Sequence, residues 1–374
     1  MKRILTIIAL MFAMVWLPAS LSAAVTASDS EGSEEKKAFD PKETIFEHLG
    51  DGYGWEVPFN HHVRMPLPII VWGKDGLHCF LSSKVDHGQT YRDGNASFRI
   101  AGADSKYKGK IVEITDGEEY RPWNFSITKN VCALFITVLL VAWSILAVAR
   151  WHKRMGMKAP RKMVGALEAL ITFIYDGVIK PTLKDKAPKF APYLLTVFFF
   201  ILYMNLLGLI VVFPGGANLT GNIAVTLVLS ILTFICTNLF GTKHYWKDIL
   251  WPDVPLWLKF PIPIMPIIEI FGVFTKPAAL TVRLFANMLG GHMIVIVLTI
   301  LIFVFASMGA VVAGATTVMS VLFSVFMLMI DVLVSFIQAY VFTMLSTIFI
   351  SFGQENGHKE KETHTTPELK TQNQ

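Results

Sequence analysis

The chain is poor in charge. Only 16% of its 374 residues are Asp, Glu, Lys or Arg, against about 25% in soluble domains. From Leu284 to Ile330 there is none at all. A stretch of that length with no charge cannot be the solvated surface of a globular domain. Cysteine is scarce too. Of Cys79, Cys132 and Cys236, two lie in apolar runs, so no disulfide framework is indicated. There is no GxxxxGK[ST] phosphate loop, no HExxH and no CxxC. No cofactor or metal is expected on those grounds. What the chain has instead is apolar sequence: 53% hydrophobic residues and a mean hydropathy of +0.51, gathered in long runs. That pattern indicates a membrane protein. The net charge of +5 does not imply nucleic acid. The excess sits in short loops beside apolar segments, where it reports topology.

The N-terminus has the form of a processing signal. Lys2 and Arg3 precede an apolar Ile4 to Leu17, and "PASLSAA" supplies small residues for cleavage near Ala23. An uncleaved anchor is the alternative. Residues 24–59 then read as a polar linker followed by a short amphipathic piece. Residues 60–125 differ in texture. "MPLPIIVW", "LHCFLSS" and "SFRIAG" are β-type runs separated by "GKDG" and "RDGN" turns. A small β-rich extracytoplasmic insert is expected there. Its His61, His62, His78 and His87 match no metal-ligand spacing and read as solvated hairpin histidines.

Residues 126–352 form the membrane domain. Five apolar segments are expected: about 127–148, 191–213, 223–240, 263–305 and 310–352. Between Arg150 and Lys189 there are ten Lys or Arg against three acids, which makes that loop cytoplasmic. Within it, "MVGALEALITFIYDGVI" is amphipathic and suited to the membrane surface. The stretch "GTKHYWKDILWPDVPLWLKFP" has the composition of an interfacial belt. The last two segments are each near 40 residues, about twice what a perpendicular span needs, so they must be tilted, kinked or wrapped around something. The polar tail 353–374 then falls in the cytoplasm. The expected fold class is an all-α polytopic membrane protein with about five membrane segments, the last two long and tilted, plus the β-rich insert.

Charges inside those last segments cost free energy, about 2.5–3.5 kcal/mol for an arginine at mid-membrane. At 100° per residue, Glu269, Lys276 and Arg283, spaced by seven, drift only 20° at each step. Asn287 stays on that face, and Gly290 and Gly291 continue it with almost no side chain, which would admit another helix closely. His292 falls on the opposite side. Asp331, the one charge between Arg283 and Glu355, shares a second stripe with Ser335, Gln338 and Ser346. A carboxylate and an imidazole on adjacent membrane helices suit a proton relay. The alternative is a structural Asp–His pair locking two helices.

Taken together, "EIFGVFTKPAALTVRLFANMLGGHMIV" and "DVLVSFIQAYVFTMLSTIFIS" resemble the subunit a family of F-type ATP synthases, over roughly residues 125–352 and the piece "IFEHLGDGYGWE". The resemblance implies a bacterial inner-membrane stator subunit, not an enzyme by itself. Its partners would be a c-ring, the subunit b peripheral stalk, the remaining F1Fo subunits and membrane lipid, with no nucleic acid. It implies that Arg283 faces the c-ring carboxylates, with Asn287 and Gln338 beside it. Glu269 would serve the cytoplasmic half-channel, and His292 with Asp331 the other. The family often carries an acid where this chain has Gly208. A stand-alone proton-coupled transporter or channel using the same residues is the competing reading, but no inverted repeat supports it.

Overall fold

A computed structural model describes residues 51–354 apart from 58–59, 86–88, 95, 103–104, 108, 116–117, 157, 159, 161, 211–218, 251–263 and 307–309. The processing signal, most of the linker, His87, the second half of the interfacial belt and the tail from residue 355 lie outside the described residues.

Among the described residues, nine strands come first: β1 Gly54–Val57, β2 Asn60–Pro66, β3 Pro68–Gly73, β4 Gly76–Leu81, β5 Tyr91–Asp93, β6 Ala96–Ile100, β7 Ile111–Thr115, β8 Glu118–Tyr120 and β9 Trp123–Asn124. They form three antiparallel sheets, ordered β1-β2, β4-β3-β9 and β5-β6-β7-β8. The hairpins follow from the turns read in the sequence, and Gly76 at φ 126° closes the β3–β4 turn in a conformation that side chains rarely adopt. Alternation along the strands sends Ile69, Val71 and Phe80 inward to pack with Phe98 and Ile111 in one apolar core. Glu113 is buried beneath Gly73 and is satisfied there, accepting from the Lys74 amide (3.1 Å) and the Thr115 hydroxyl (3.3 Å). A Cβ at position 73 would lie 2.6 Å from the Glu113 carboxylate, so a larger residue there would have to displace it.

The helices are α1 Lys129–Met155, α2 Lys162–Ile174, α3 Ala187–Leu209, α4 Ile223–Leu239, α5 Lys243–Leu250, α6 Ile264–Ala306 and α7 Ala310–Gly353. Thr128 caps α1 and Asn222 caps α4, each accepting an amide of the first turn. Basic His152, Lys153 and Arg154 occupy the last turn of α1, which suits the helix dipole. A π-turn, Tyr175–Ile179, carries α2 toward α3, and the chain breaks at Lys184, whose φ is 49°. The amphipathic α2 lays its apolar side on the bundle. Leu167 and Ile174 are buried, and the Phe173 ring sits 5.7 Å from that of Tyr340 on α7.

Helix α3 is the hub. Leu194, Phe198, Ile201 and Met204 have no exposure, and α3 packs against both α1 and α7. Apolar side chains on the outside, such as Phe135, Leu139, Ile235, Phe326 and Met329, are left bare, as a lipid-facing surface requires. Among the described residues, four helical stretches are long and apolar enough to cross a membrane, and the 17-residue α4 is a shorter apolar helix. With 43 and 44 residues, α6 and α7 are about 65 Å long. That is twice the roughly 30 Å hydrocarbon layer, so neither fits upright within it. Hydroxyls inside the bundle bond back to their own helices: Thr137 to Ala133 O (2.8 Å), Thr237 to Thr233 O (2.9 Å) and Thr347 to Thr343 O (2.7 Å).

Candidate functional site: a lone cation between two polar clusters

Arg283 stands on the exposed side of α6. Among the described residues it makes no hydrogen bond and no ion pair. Val282, its apolar neighbour in the chain, is 58% exposed as well. Asn287, one turn on, is exposed with it. Leu280, Leu284 and Met288, on the other side of the helix, are buried in the bundle. The amphipathic reading of α6 therefore holds for Arg283 and Asn287.

It does not hold for Lys276. The ammonium of Lys276 turns to α7, 5.8 Å and 5.9 Å from the ring centroids of Phe349 and Phe352. Two steps of 20° separate Glu269 from Arg283, and a long side chain on the edge of the stripe can follow a local partner, here two aromatic faces. Pro277, next in the chain, also removes one backbone hydrogen bond from the helix at this point. The two glycines separate as well. Gly290 has nothing within 4 Å of the place a Cβ would take, whereas Gly291 is buried against Asp331. Only the first belongs to the open face.

At the end of the bundle where α6 begins, a narrow cleft is lined by Ser230, Thr233, Asn238, Tyr245 and Lys276 together with Phe234, Val273, Leu280 and Phe349. The Tyr193 and Thr233 hydroxyls are 3.0 Å apart, Thr233 reaches Ser346 at 3.4 Å, and Ser230 hydrogen-bonds Thr281. Tyr245 of α5 donates to Asn238 (3.2 Å). Burial, with the nearby Glu269 carboxylate, raises the Tyr245 hydroxyl above its ordinary range. Glu269 is partly exposed and so stands at the rim of this cluster. The end of α7 is fastened here: the Thr242 amide bonds Gly353 O (2.8 Å) and Lys186 bonds Gln354 O (2.6 Å).

The second cluster lies eight to nine residues further along α6 from Arg283, about 12–14 Å. Asp331 of α7 is 7% exposed, and its Oδ2 is buried with no hydrogen bond among the described residues. The Ser335 hydroxyl donates to the Asp331 carbonyl (2.7 Å). From α3, Asn205 is wholly buried and donates to the Ser335 carbonyl at 3.4 Å. The His292 ring lies within electrostatic reach of Asp331 and in hydrogen-bonding reach of the Gly208 and Met288 carbonyls. Gln338 is buried at 6% exposure, with Asp331 and Ser335 on the inner side of α7. It shares no hydrogen bond with Arg283 among the described residues.

Sequence reasoning placed His292 and Asp331 together and separated both from Arg283. It passed over Asn205, Tyr193, Thr233, Ser230 and Thr281. The signal for Asn205 was present, an amide inside the apolar run of α3. The hydroxyls gave none, because Ser and Thr can bond to their own helix anywhere in a membrane span. In the β-rich region, no group of three or more His, Cys, Asp or Glu gathers into a metal site among the described residues. His78 pairs instead with Asp93 at 2.9 Å.

The sequence matches a known family. The model described as "ATP synthase A chain" matches residues 131–351, and one described as a domain of unknown function (DUF8433) matches residues 44–129. ATP synthase subunit a of Chlorobium phaeobacteroides is 41% identical over 249 residues, 65% of this chain and 68% of that protein. ATP synthase subunit a 2 of Chlorobaculum tepidum is 43% identical over 242 residues, 62% and 64% of the two chains. The Myxococcus xanthus subunit a is 39% identical over 243 residues, 63% and 75%. With more than half its length matched by the family model, the chain belongs to the ATP synthase A chain family.

Proposed function

We propose that this chain is the proton-channel subunit of the Fo sector, non-catalytic by itself, in which Arg283 meets the carboxylates of a rotating c-ring between two half-channels. The observation that carries the reading is the exposure of Arg283 with no counter-charge among the described residues. A permanent cation on an apolar face costs about 2.5–3.5 kcal/mol at mid-membrane, so a partner carboxylate is called for. Arg283 attracts each arriving carboxylate, favours its ionised form and so releases its proton. The same positive charge blocks protons from passing directly between the half-channels. Glu269 and the cleft beside it serve one side. His292 and Asp331, supported by Asn205 and Ser335, serve the other. Each elementary charge that crosses supplies about 2.3 kcal/mol per 100 mV, and the outcome is rotation of the ring. The chain sits in a bacterial inner membrane, with its β-rich part outside the cytoplasm and its C-terminus within.

Gentle extraction tests the assembly. A c-ring, a peripheral stalk and an ATPase head should accompany the protein. Recovery of the intact chain without ring or head would contradict the reading.

A further inference from the structure

The sheet β4-β3-β9 has one face turned to the core and one turned away. In an antiparallel sheet, directly opposite residues share a face. Trp72 is opposite both Leu77 and Trp123, Ile70 is opposite Cys79, and Pro68 is opposite Leu81. Phe125, two residues beyond Trp123, continues the row and donates its amide to Ile70 O (2.9 Å). The outward face thus contains no charged residue. It is also bare: Trp123 is 72% exposed, Leu77 and Phe125 62%, and Trp72 58%. Soluble domains rarely leave a contiguous apolar patch of this kind uncovered. Its charges are confined to the rim, at Lys74, Asp75 and Arg121, all exposed.

The position of the face indicates what covers it. Four residues after Phe125 the chain enters α1, the first helix able to cross a membrane. Four residues reach at most about 14 Å. The domain is also clamped to that helix start, since the Lys129 amide bonds Gly52 O (2.9 Å) and the Asn130 amide bonds the Asp51 side chain (3.2 Å). Trp55 joins the apolar core of the helical bundle. The sheet is therefore held at the level where α1 leaves the bilayer. Tryptophan is enriched at that level, where its ring is amphipathic enough for the headgroup region. We propose that the outer face of β4-β3-β9 is a lipid-docking surface, with Trp72, Leu77, Trp123 and Phe125 seated in the interface of the leaflet from which α1 departs. The rim cations Lys74 and Arg121 then lie among anionic headgroups. The domain is thus moored to the membrane through its sheet as well as through the chain. This rests only on α1 crossing the bilayer, and stands whether or not the proton path is as described above.

Cys79, exposed on this face, allows a direct test. The full chain, carrying Cys132→Ala and Cys236→Ala, is reconstituted dilute in phosphatidylethanolamine–phosphatidylglycerol vesicles, and Cys79 is labelled with an environment-sensitive fluorophore. Spin-labelled lipids should quench it several-fold more than the same label at Lys110→Cys, placed on the β6–β7 side in a Cys79→Ser background. Equal, water-like behaviour at both positions would overturn the proposal. So would a shielded label that lipid does not quench, which indicates a protein partner, or Cys79–Cys79 cross-linking, which indicates a second copy. A second readout avoids the cysteines. Trp72→Phe with Trp123→Phe should lower tryptophan quenching by brominated lipids, and unchanged quenching would contradict the docking.

Discussion

The Asp331 carboxylate of α7 lies against the bare backbone of Gly291 on α6. A Cβ added to Gly291 would come within 2.5 Å of Asp331 Oδ1 and 3.0 Å of its Cγ. Both groups are buried. The two longest helices of the protein touch here through a carboxylate and a missing side chain, and His292 is the next residue along. Gly291→Ala should therefore displace Asp331 and destabilise the α6–α7 packing by about 1–3 kcal/mol, the usual range for overpacking. Gly290→Ala, which meets nothing within 4 Å, should leave the isolated chain unchanged. Thermal denaturation of both variants in detergent checks this. Equal stability of the two would show that the close approach is not structural.

His292→Ala should impair ATP-driven proton pumping without abolishing it, since Asp331, Ser335 and Asn205 keep a polar route on the same side. Acidification of inverted vesicles measures this. Undiminished pumping would assign the pair a structural role alone.

Lys276 is predicted to matter for packing and not for the exchange with the ring, because its ammonium rests on Phe349 and Phe352. Lys276→Met should cost about 0.5–1 kcal/mol of stability and leave most of the pumping rate. Total loss of pumping in a stable Lys276→Met protein would return Lys276 to the partner-facing stripe.

In the β-rich domain, Glu119 accepts from Ser105 and Arg99. Those bonds, the Ser105 one foremost, hold its carboxyl below its ordinary value of 4.5. A depressed folded-state value means that the contribution is fully present above the unfolded value and disappears as pH falls through the folded one. Acid should therefore loosen this domain from about pH 4.5 downward. Glu119→Gln should flatten that part of the profile, as followed by hydrogen exchange of the β7 and β8 amides. An unaltered acid limb in the variant would rule Glu119 out as its source.

The membrane architecture was legible because bilayer thickness imposes long apolar runs, and the five runs become α1, α3, α4, α6 and α7 with ends shifted by a few residues. Arg283 and Asp331 were legible because a charge in such a run is conspicuous. Helical periodicity correctly put His292 on the side away from Arg283 and toward Asp331. It failed for Lys276 and Gly291, where facing residues on α7 decide the outcome and no count along α6 can reveal them. Asn205 escaped for a related reason: its partner, the Ser335 carbonyl, is 130 positions away. In the β-rich region the hairpins were readable from their turns. The return of β9 to pair with β3 was not, because a two-residue strand so far along the chain carries no periodic signal. Yet that pairing is what brings Trp123 beside Trp72.

The central claim is that Arg283, exposed and without an ion pair among the described residues, works on a partner's carboxylate. Arg283→Ala should therefore fold normally, within about 0.5 kcal/mol of the unaltered chain, and assemble. In inverted membrane vesicles the assembled complex should show no ATP-driven acidification, while the ATPase head, once detached from it, should hydrolyse ATP at the unaltered rate. Acidification at the unaltered rate by a complex carrying Arg283→Ala would contradict the account.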